Sequence, residues 1–146
     1  EQCYRTLSPE SSHSYLFEVL DNGRKTVYLG FFPSALFTAY SGDKEPFEAL
    51  KKFLKGRQTE EREDLPPFSQ SAFGFVSYEA SRYSYDLPDT PQVKTKTRKP
   101  ILLFAVFDLV LVFDDETATI IVAGKSHEVI HSAINKIRNA QTPKSV

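Results

Sequence analysis

The stretch HEVIH at residues 127–131 carries the residue types best suited to chemistry in this sequence. It fits H-E-x-x-H, in which two histidines one helical turn apart hold zinc and the glutamate acts as a general base. Ser126 is a good N-cap residue, and apolar residues recur after it at helical spacing. The pattern therefore predicts a helix that places His127 near His131, and it raises the hypothesis of a zinc hydrolase that uses Glu128.

Two features of the same helix argue against zinc. Arg138 falls between the two histidines on the helical wheel, and a fixed cation disfavours a set of metal ligands there. A catalytic zinc also needs a third protein ligand, and no Asp, Glu, His or Cys follows His131. We therefore predict a surface helix with two boundary histidines and no bound metal. Zinc hydrolysis through His127, Glu128 and His131 remains a remote alternative.

Other catalytic motifs are scarce. The sequence has no G-x-G-x-x-G, no complete phosphate loop G-x-x-x-x-G-K-[ST] and no G-x-S-x-G. Glu79 and Arg82 raise the hypothesis of a functional pair, but a short helix with an exposed ion pair is the favoured interpretation. Asp108 interrupts an apolar strand, and we expect it to be a centre of structural hydrogen bonds. We assign no catalytic residue and no cofactor to this chain.

Composition limits the class of protein. The 146 residues are 40% apolar and 25% charged, with a net charge of -1, which suits one globular domain and gives no electrostatic case for binding nucleic acid or an anionic membrane. A single cysteine, Cys3, excludes an internal disulfide. The longest apolar stretch, residues 101–113, is too short to cross a membrane, and no signal peptide is evident. These features predict a cytoplasmic protein.

The ends of the sequence suggest a piece of something longer. There is no Met, even at position 1, and the last residues, QTPKSV, are typical of an interdomain linker. We expect a domain over residues 1–140 and the start of a linker at residues 141–146.

Hydrophobic patterning predicts an α+β fold, mainly antiparallel, with two or three helices. Asn22-Gly23 is a strong hairpin turn, Pro33 is expected to end the second strand, Pro46 to begin a helix and Gly56 to end it. Gly74 within its strand predicts a bulge or a close backbone approach. The predicted strands are residues 14–20, 26–32, 35–40, 72–78, 101–113 and 117–123, with 101–113 central; residues 57–67 and 83–99, including the basic cluster Lys94 to Lys99, are predicted loops.

Four segments, in order, resemble the N-terminal domain shared by anthranilate synthase component I and aminodeoxychorismate synthase component I. SYLFEV resembles S-[FY]-L-L-E-S, and VYLGFFP resembles S-F-[IL]-G-x-x-P. FSQSAFGFVSYEASRY with DLP resembles F-x-G-G-x-x-G-[YF]-x-[SG]-Y-[DE], and FDLVLVFDD resembles Y-D-x-[VL]-[VIL]-V-[FI]-D-H. The sequence departs from these patterns at several positions: Val19 and Val27 replace serines, Gln70-Ser71 replaces Gly-Gly, and Asp115 replaces the turn histidine.

The resemblance implies a role. In that family chorismate is aminated with ammonia from a glutamine amidotransferase partner, and magnesium is required. A larger C-terminal domain, which this chain does not contain, holds chorismate and magnesium. The N-terminal domain packs on it and supplies part of a tryptophan site. The resemblance therefore implies two partners, the chorismate-binding domain of the same parent chain and the amidotransferase subunit, with magnesium only in the parent.

The resemblance also names candidate regulatory residues. The L-L-E-S segment is one wall of the tryptophan site, so Leu16, Phe17, Glu18 and Val19 take those positions here. Glu18 is suited to an amino-acid ammonium, although an outward residue on an alternating strand explains it equally well.

The absence of serine hydroxyls at Val19 and Val27 slightly favours aminodeoxychorismate synthase over anthranilate synthase as the branch of the family. Anthranilate synthase is nearly as well supported. YEASR favours the same branch weakly. The alternative from another class is a free-standing small-ligand or protein-interaction module with this fold.

Overall fold

A computed structural model describes residues 2–57, 65–85 and 99–141. The strands are β1 Tyr15–Asp21, β2 Arg24–Tyr40, β3 Ala72–Val76, β4 Pro100–Asp114 and β5 Thr119–Gly124, and the α-helices are α1 Gln2–Leu7, α2 Pro46–Lys55 and α3 His127–Gln141. Short 3₁₀ helices span Ser8–Glu10 and Tyr78–Tyr83. The class is α+β with a mainly antiparallel sheet, as predicted.

The five strands form one sheet in the order β1-β2-β4-β3, with β5 also paired to β4. β1 pairs antiparallel with β2, and β4 pairs antiparallel with β5. The chain divides into two compact units: one of Glu1–Ser34, Glu61–Ser71 and Val106–Val146, the other of Ala35–Glu60 and Ala72–Ala105. The long strands β2 and β4 contribute to both units.

The Asn22-Gly23 turn forms as predicted. Both residues have positive φ, 49° at Asn22 and 81° at Gly23, as a type I′ turn requires. The two-residue loop fixes the hairpin register, in which Asp21 lies opposite Arg24 and Glu18 lies opposite Val27. This register positions every residue of the candidate regulatory segment.

β2 is a correction to the sequence prediction. Pro33 was expected to end the strand, yet β2 runs without a break from Arg24 to Tyr40. Phe32 has a positive φ of 56°, and its N–H donates to Ser11 Oγ at 2.7 Å. The backbone is therefore bent at Phe32, where a side chain outside the sheet satisfies the amide. A proline fits after a bend of this kind because its nitrogen has no hydrogen to donate.

In the first unit, α1 and α3 cover one side of the sheet, called here the helix face. Its core consists of aliphatic and aromatic side chains that alternate along the strands, with helix residues packed on them: Cys3, Leu7, Leu29, Phe31, Leu109, Leu111, Ala133 and Ile137. The sequence did not predict α1, because this helix is only six residues long and too short to show a periodic pattern. Lys136 on α3 pairs with Glu10, which connects the N-terminal segment to α3.

The opposite side of the same strands is called here the aromatic face. Tyr28, Val110 and Val112 are buried there, with Tyr15, Val19 and Phe107 packed against them. Phe68 contacts Phe17 and Tyr28 edge to face, with ring centroids 6.2 and 5.7 Å apart. Aromatic side chains from strands and from the 65–71 segment therefore supply this cover.

The second unit packs α2 on the remaining parts of β2 and β4. Its core contains Ala39, Leu50, Ala80, Ile101 and Leu102. Gly74 confirms the predicted close approach, since a Cβ at this position would overlap the backbone of Leu103 and Phe104. β3 ends at Val76, earlier than predicted, because Tyr78–Tyr83 turns into a 3₁₀ helix.

Several predictions fall outside the described residues. These are most of the loops at 57–67 and 83–99, the basic cluster from Lys94 to Arg98, and the linker predicted at 141–146 apart from Gln141, which ends α3. None of the described helices is long and apolar enough to cross a membrane.

Candidate functional site

The four candidate regulatory residues lie on β1 but do not share one surface. Strand alternation places Leu16 and Glu18 on one side and Phe17 and Val19 on the other. Phe17 contacts Tyr28 and Phe68, and Val19 packs in the aromatic cluster. Leu16 is 52% exposed. A ligand that contacts this strand from one side therefore meets two of the four side chains.

Glu18 forms an ion pair with Lys25 across the hairpin. Glu18 Oε1 lies 2.7 Å from Lys25 Nζ, and the side chains are 52% and 42% exposed. Lys25 lies opposite Leu20, so Glu18 and Lys25 are diagonal neighbours on one side of the strand pair. The hydrogen bond to Glu18 raises the pKa of Lys25. The pair thus offers one anionic and one cationic group side by side, partly open to solvent.

Lys25 is a candidate that the sequence analysis missed. The Asn22-Gly23 turn was sufficient to find it, because a two-residue loop fixes the pairing of Leu20 with Lys25 and so places Lys25 diagonal to Glu18.

A polar depression of about 660 Å³ lies at the hairpin end and is lined by residues 21–25, Asp115 and Glu116. Arg24 pairs with Asp114, and its Nε lies 3.4 Å from Glu116 Oε2. The hydrogen bond from Arg24 lowers the pKa of Asp114, and the same bond raises the pKa of Arg24. Charged side chains of both signs therefore line the depression, which suits the ends of a zwitterion better than an apolar ring.

Val19 and Val27 stand where the resembled family has serines. Val19 packs in the aromatic cluster, and Val27 packs against the core of the helix face. Neither side chain can donate or accept a hydrogen bond. Val27 lies directly opposite Glu18, so the residue at that position offers only hydrocarbon, and the polar cross-strand contact of Glu18 is with Lys25.

The HEVIH helix forms as predicted, and the N–H of Val129 donates to Ser126 Oγ at 3.4 Å. The rings of His127 and His131 are 6.0 Å apart, and both side chains are exposed. Across residues 2–57, 65–85 and 99–141, no three His, Cys, Asp or Glu side chains are grouped to hold a metal ion. The described residues thus provide no third ligand for the zinc hypothesis.

Gly124-Lys125-Ser126 joins β5 to α3 and matches the end of a phosphate loop. Thr119 stands where such a loop has its first glycine, and it belongs to β5. Lys125 Nζ lies 3.9 Å from Asp108 Oδ1, and the Lys125 N–H donates to the Asp108 carbonyl. The junction is therefore a tight strand-to-helix turn. The hydrogen bond uses the main-chain carbonyl of Asp108, so hydrogen bonding at its carboxylate stays a prediction.

Glu79 and Arg82 both lie on the 3₁₀ helix Tyr78–Tyr83, in the second unit. Glu79 is exposed and Arg82 is half-buried. The short helix was expected.

Comparison with known proteins identifies the family. A model described as chorismate binding enzyme matches residues 12–145. The chain belongs to the chorismate binding enzyme family. The match covers all five strands and α2 and α3, so both units belong to the matched region.

Three relatives in the chorismate binding enzyme family are similar in sequence. Aminodeoxychorismate synthase component 1 of Bacillus subtilis is 27% identical over 79% of this chain and 27% of its own length. Probable anthranilate synthase component 1 of Schizosaccharomyces pombe is 29% identical over 80% of this chain and 24% of its own. Anthranilate synthase component 1 3 of Haloarcula marismortui is 24% identical over 78% of this chain and 24% of its own length.

The fold agrees with a solved structure, anthranilate synthase component I from Streptococcus pneumoniae. The TM-score is 0.62 at 21% identity, and the likeness covers 90% of this chain and 32% of the other. The chain thus spans between about a quarter and a third of the length of the proteins it matches.

Proposed function

We propose that this chain is the non-catalytic N-terminal part of a chorismate-aminating synthase. The observation that carries the proposal is the unequal coverage: relatives match about four-fifths of this chain but only about a quarter of themselves. In the proposed parent, a C-terminal domain packs on this chain and holds chorismate and magnesium, and a glutamine amidotransferase subunit supplies ammonia. The proposed location is the cytoplasm.

Chemistry supports a non-catalytic role. General acid–base catalysis needs titratable groups positioned around a substrate site, and metal catalysis needs a cluster of ligands. In the first unit, Arg24 is ion-paired with Asp114 and Glu116, and Arg24 and Glu116 line the polar depression.

Assays of chorismate conversion test this proposal. This chain, with chorismate, magnesium and ammonium, is expected to give no product. The full translation product of its gene, with the amidotransferase subunit and glutamine, is expected to aminate chorismate. Conversion by the 146-residue chain alone would contradict the proposal, and so would a full product without chorismate-dependent activity.

Mass spectrometry of the product separates the two branches. Relatives of both kinds match, and Val19 and Val27 favour aminodeoxychorismate because the hydroxyls are absent. Anthranilate as the product would contradict that preference while leaving the N-terminal role intact.

We further propose that the Glu18–Lys25 pair is part of an amino-acid pocket in the parent. Glu18 would receive an ammonium and Lys25 a carboxylate, since charge-assisted hydrogen bonds are the strong ones in such sites. A ligand must first separate a pair at 2.7 Å, and Val19 and Val27 offer it no hydrogen bond. Each missing hydrogen bond costs roughly 0.5–1.5 kcal/mol. We therefore expect the parent to be insensitive to micromolar tryptophan.

Calorimetric titration of tryptophan into this chain and into the parent tests the expected insensitivity, and it shows whether any binding that does occur depends on Glu18 and Lys25. We expect no measurable binding to the chain and no micromolar binding to the parent. A micromolar dissociation constant for the parent, lost in both Glu18→Ala and Lys25→Ala, would show that the pair is enough without the serines. Binding that survives both substitutions would show that the binding site does not include this hairpin.

The alternative of a free-standing interaction module is favoured by the exposed apolar side chains on β1, where Leu20 is 75% exposed. A gene product that ends near Val146 and folds stably would support that alternative.

A further inference from the structure

Two imidazole rings lie side by side at the start of α3. His127 and His131 are four residues apart on this helix, a spacing that places side chains on the same face one turn apart. Their ring centroids are 6.0 Å apart, the ring planes are inclined by 30°, and both side chains are exposed. Among the residues that the structure describes, neither imidazole forms a hydrogen bond or an ion pair, so its nitrogens are open to an added ligand.

The helix holds this pair in place. At its start, the N–H of Val129 donates to Ser126 Oγ and the N–H of Ile130 donates to the Ser126 carbonyl. Further along, Ala133 and Ile137 are buried in the core of the helix face. The helix is thus fixed on its apolar side, and the two rings project outside that side. An ion that binds both rings therefore orders only side chains, and preorganisation of this kind favours binding.

The chemistry of the two ligands selects the class of ion. Neutral imidazole is the commonest metal ligand in proteins, and it suits copper, nickel and zinc. For a given nitrogen site, divalent copper is generally bound more tightly than nickel or zinc. Magnesium is a hard cation that prefers oxygen ligands and keeps its water. Two imidazoles therefore favour a divalent transition-metal ion over magnesium.

Arg138 does not prevent an ion from binding to this pair. Although it falls between the histidines on the helical wheel, it lies seven residues beyond His131, which is about 10 Å along the helix axis. The Debye length at physiological salt is about 8 Å, so repulsion between exposed charges at that separation is largely screened. Glu128, which is adjacent to His127 in the sequence, is an anion.

We propose that His127 and His131 form a surface chelate for one divalent transition-metal ion, with Cu²⁺ bound most tightly. Two protein ligands leave the other coordination positions to water, so the ion exchanges readily. The site supplies no hydrolytic step, which distinguishes it from a zinc hydrolase with a third protein ligand. Protein purified without added metal is still expected to hold none. The proposal is independent of the proposed synthase role, because it involves neither chorismate nor the parent's other domains.

Calorimetric titration of metal chlorides into the untagged chain tests the proposal. We expect one Cu²⁺ per chain, weaker binding of Zn²⁺, and no heat from Mg²⁺. His127→Ala and His131→Ala should each weaken Cu²⁺ binding at least roughly a hundredfold, because the second imidazole binds intramolecularly once the first has bound. His13→Ala is the matched control. It removes the third histidine of the chain, which is also exposed, and should leave the affinity unchanged.

A spacing variant tests the geometry. The double substitution His131→Ala with Ser132→His keeps three histidines in the chain and uses an exposed position. It turns the second ring from about 40° to about 140° around the helix from His127, so both rings cannot reach one ion. Cu²⁺ should raise the midpoint of thermal unfolding of the natural sequence, because it binds the folded chain preferentially, and should not raise that of the spacing variant. Circular dichroism without metal checks that each variant folds.

Electron paramagnetic resonance of the bound Cu²⁺ counts its nitrogen ligands, and two are expected. Equal Cu²⁺ affinity in the natural sequence and the spacing variant would overturn the proposal and indicate an adventitious ion only. Loss of binding in His13→Ala would place the ion elsewhere and would equally overturn it. So would a titration of the natural sequence that does not saturate, or a spectrum with one nitrogen ligand.

Discussion

The two faces of the sheet in the first unit are built from the same strands but covered in different ways. On the helix face, α1 and α3 bury Leu109 and Leu111 completely. On the aromatic face, Val110 and Val112 are buried with Tyr28, whose ring contacts Phe17 and Phe68, and these two rings are themselves 39% and 48% exposed. One face is thus sealed by helices, and the other is covered by rings that still contact water. The aromatic face should therefore tolerate substitution better.

The largest expected effect is in the helix face. Leu111→Ala should lower the free energy of unfolding by about 3 kcal/mol, since truncation of a buried leucine to alanine costs roughly 2–5 kcal/mol. Val112→Ala is the matched control on the aromatic face. It removes fewer carbon atoms, from the face that is covered by partly exposed rings. We expect it to lower the free energy of unfolding by about 1.5 kcal/mol. Urea unfolding followed by circular dichroism measures both. An equal or larger loss for Val112→Ala would show that the aromatic face is as tightly packed as the helix face.

The next effect is at Gly30, directly opposite Tyr15 on β1. A Cβ at Gly30 would overlap the Tyr15 ring, which lies 4.9 Å from Phe107 by centroids. Gly30→Ala should therefore cost about 1–3 kcal/mol, the usual range for overpacking.

A double-mutant cycle separates overpacking from a backbone effect. In a Tyr15→Ala background, Gly30→Ala should cost less, because the ring that it displaces is gone. An unchanged cost in that background would show that Tyr15 does not limit the space at Gly30.

A smaller effect is expected at Phe68, whose φ is 64°. A bulky residue in this region of φ is strained by about 1–3 kcal/mol. Phe68→Ala loses the aromatic contacts and keeps the strain, whereas Phe68→Gly loses the contacts and relieves it. We expect Phe68→Gly to be more stable than Phe68→Ala by roughly 1 kcal/mol. Equal stability in thermal unfolding would mean that the backbone at residue 68 relaxes in Phe68→Ala, so that the ring contacts alone hold the positive φ.

The sequence predicted the packing of the sheet's two faces to different extents. The nearly continuous apolar run along residues 101–113 identified β4 as covered on both sides, and Asn22-Gly23 identified the hairpin. Both signals are local. Phe68 was not predicted as a cover for Phe17 and Tyr28, because that contact depends on a positive φ in a short segment between elements, for which Phe gives no signal.

The candidate site shows the same division between local and long-range information. Glu18 was found by resemblance, and Lys25 follows from the hairpin register. The pairing of Arg24 with Asp114 joins residues that are 90 positions apart, and no local pattern reports it. The break expected at Pro33 failed for the same reason: Ser11, far away in sequence, satisfies the amide of Phe32.

The smallest expected effect compares two ion pairs by their dependence on pH. The Arg24 side chain lowers the pKa of Asp114, so this pair stabilises the fold above the ordinary pKa of an aspartate, and the contribution is lost as the pH falls through the lowered value. The Glu18 carboxylate raises the pKa of Lys25. That contribution is complete below the ordinary pKa of a lysine and is lost as the pH rises through the raised value.

Asp114→Asn should therefore weaken the dependence of stability on pH in the acid range and leave it unchanged in the alkaline range. Lys25→Gln should weaken it in the alkaline range and leave it unchanged in the acid range. Both changes should be small, because Arg24, Glu18 and Lys25 are each about half exposed and salt screens their charges. Thermal unfolding from pH 2 to pH 11 at low and high salt measures them. An acid-side change in Lys25→Gln as large as that in Asp114→Asn would show that the two pairs act as one network around the hairpin end.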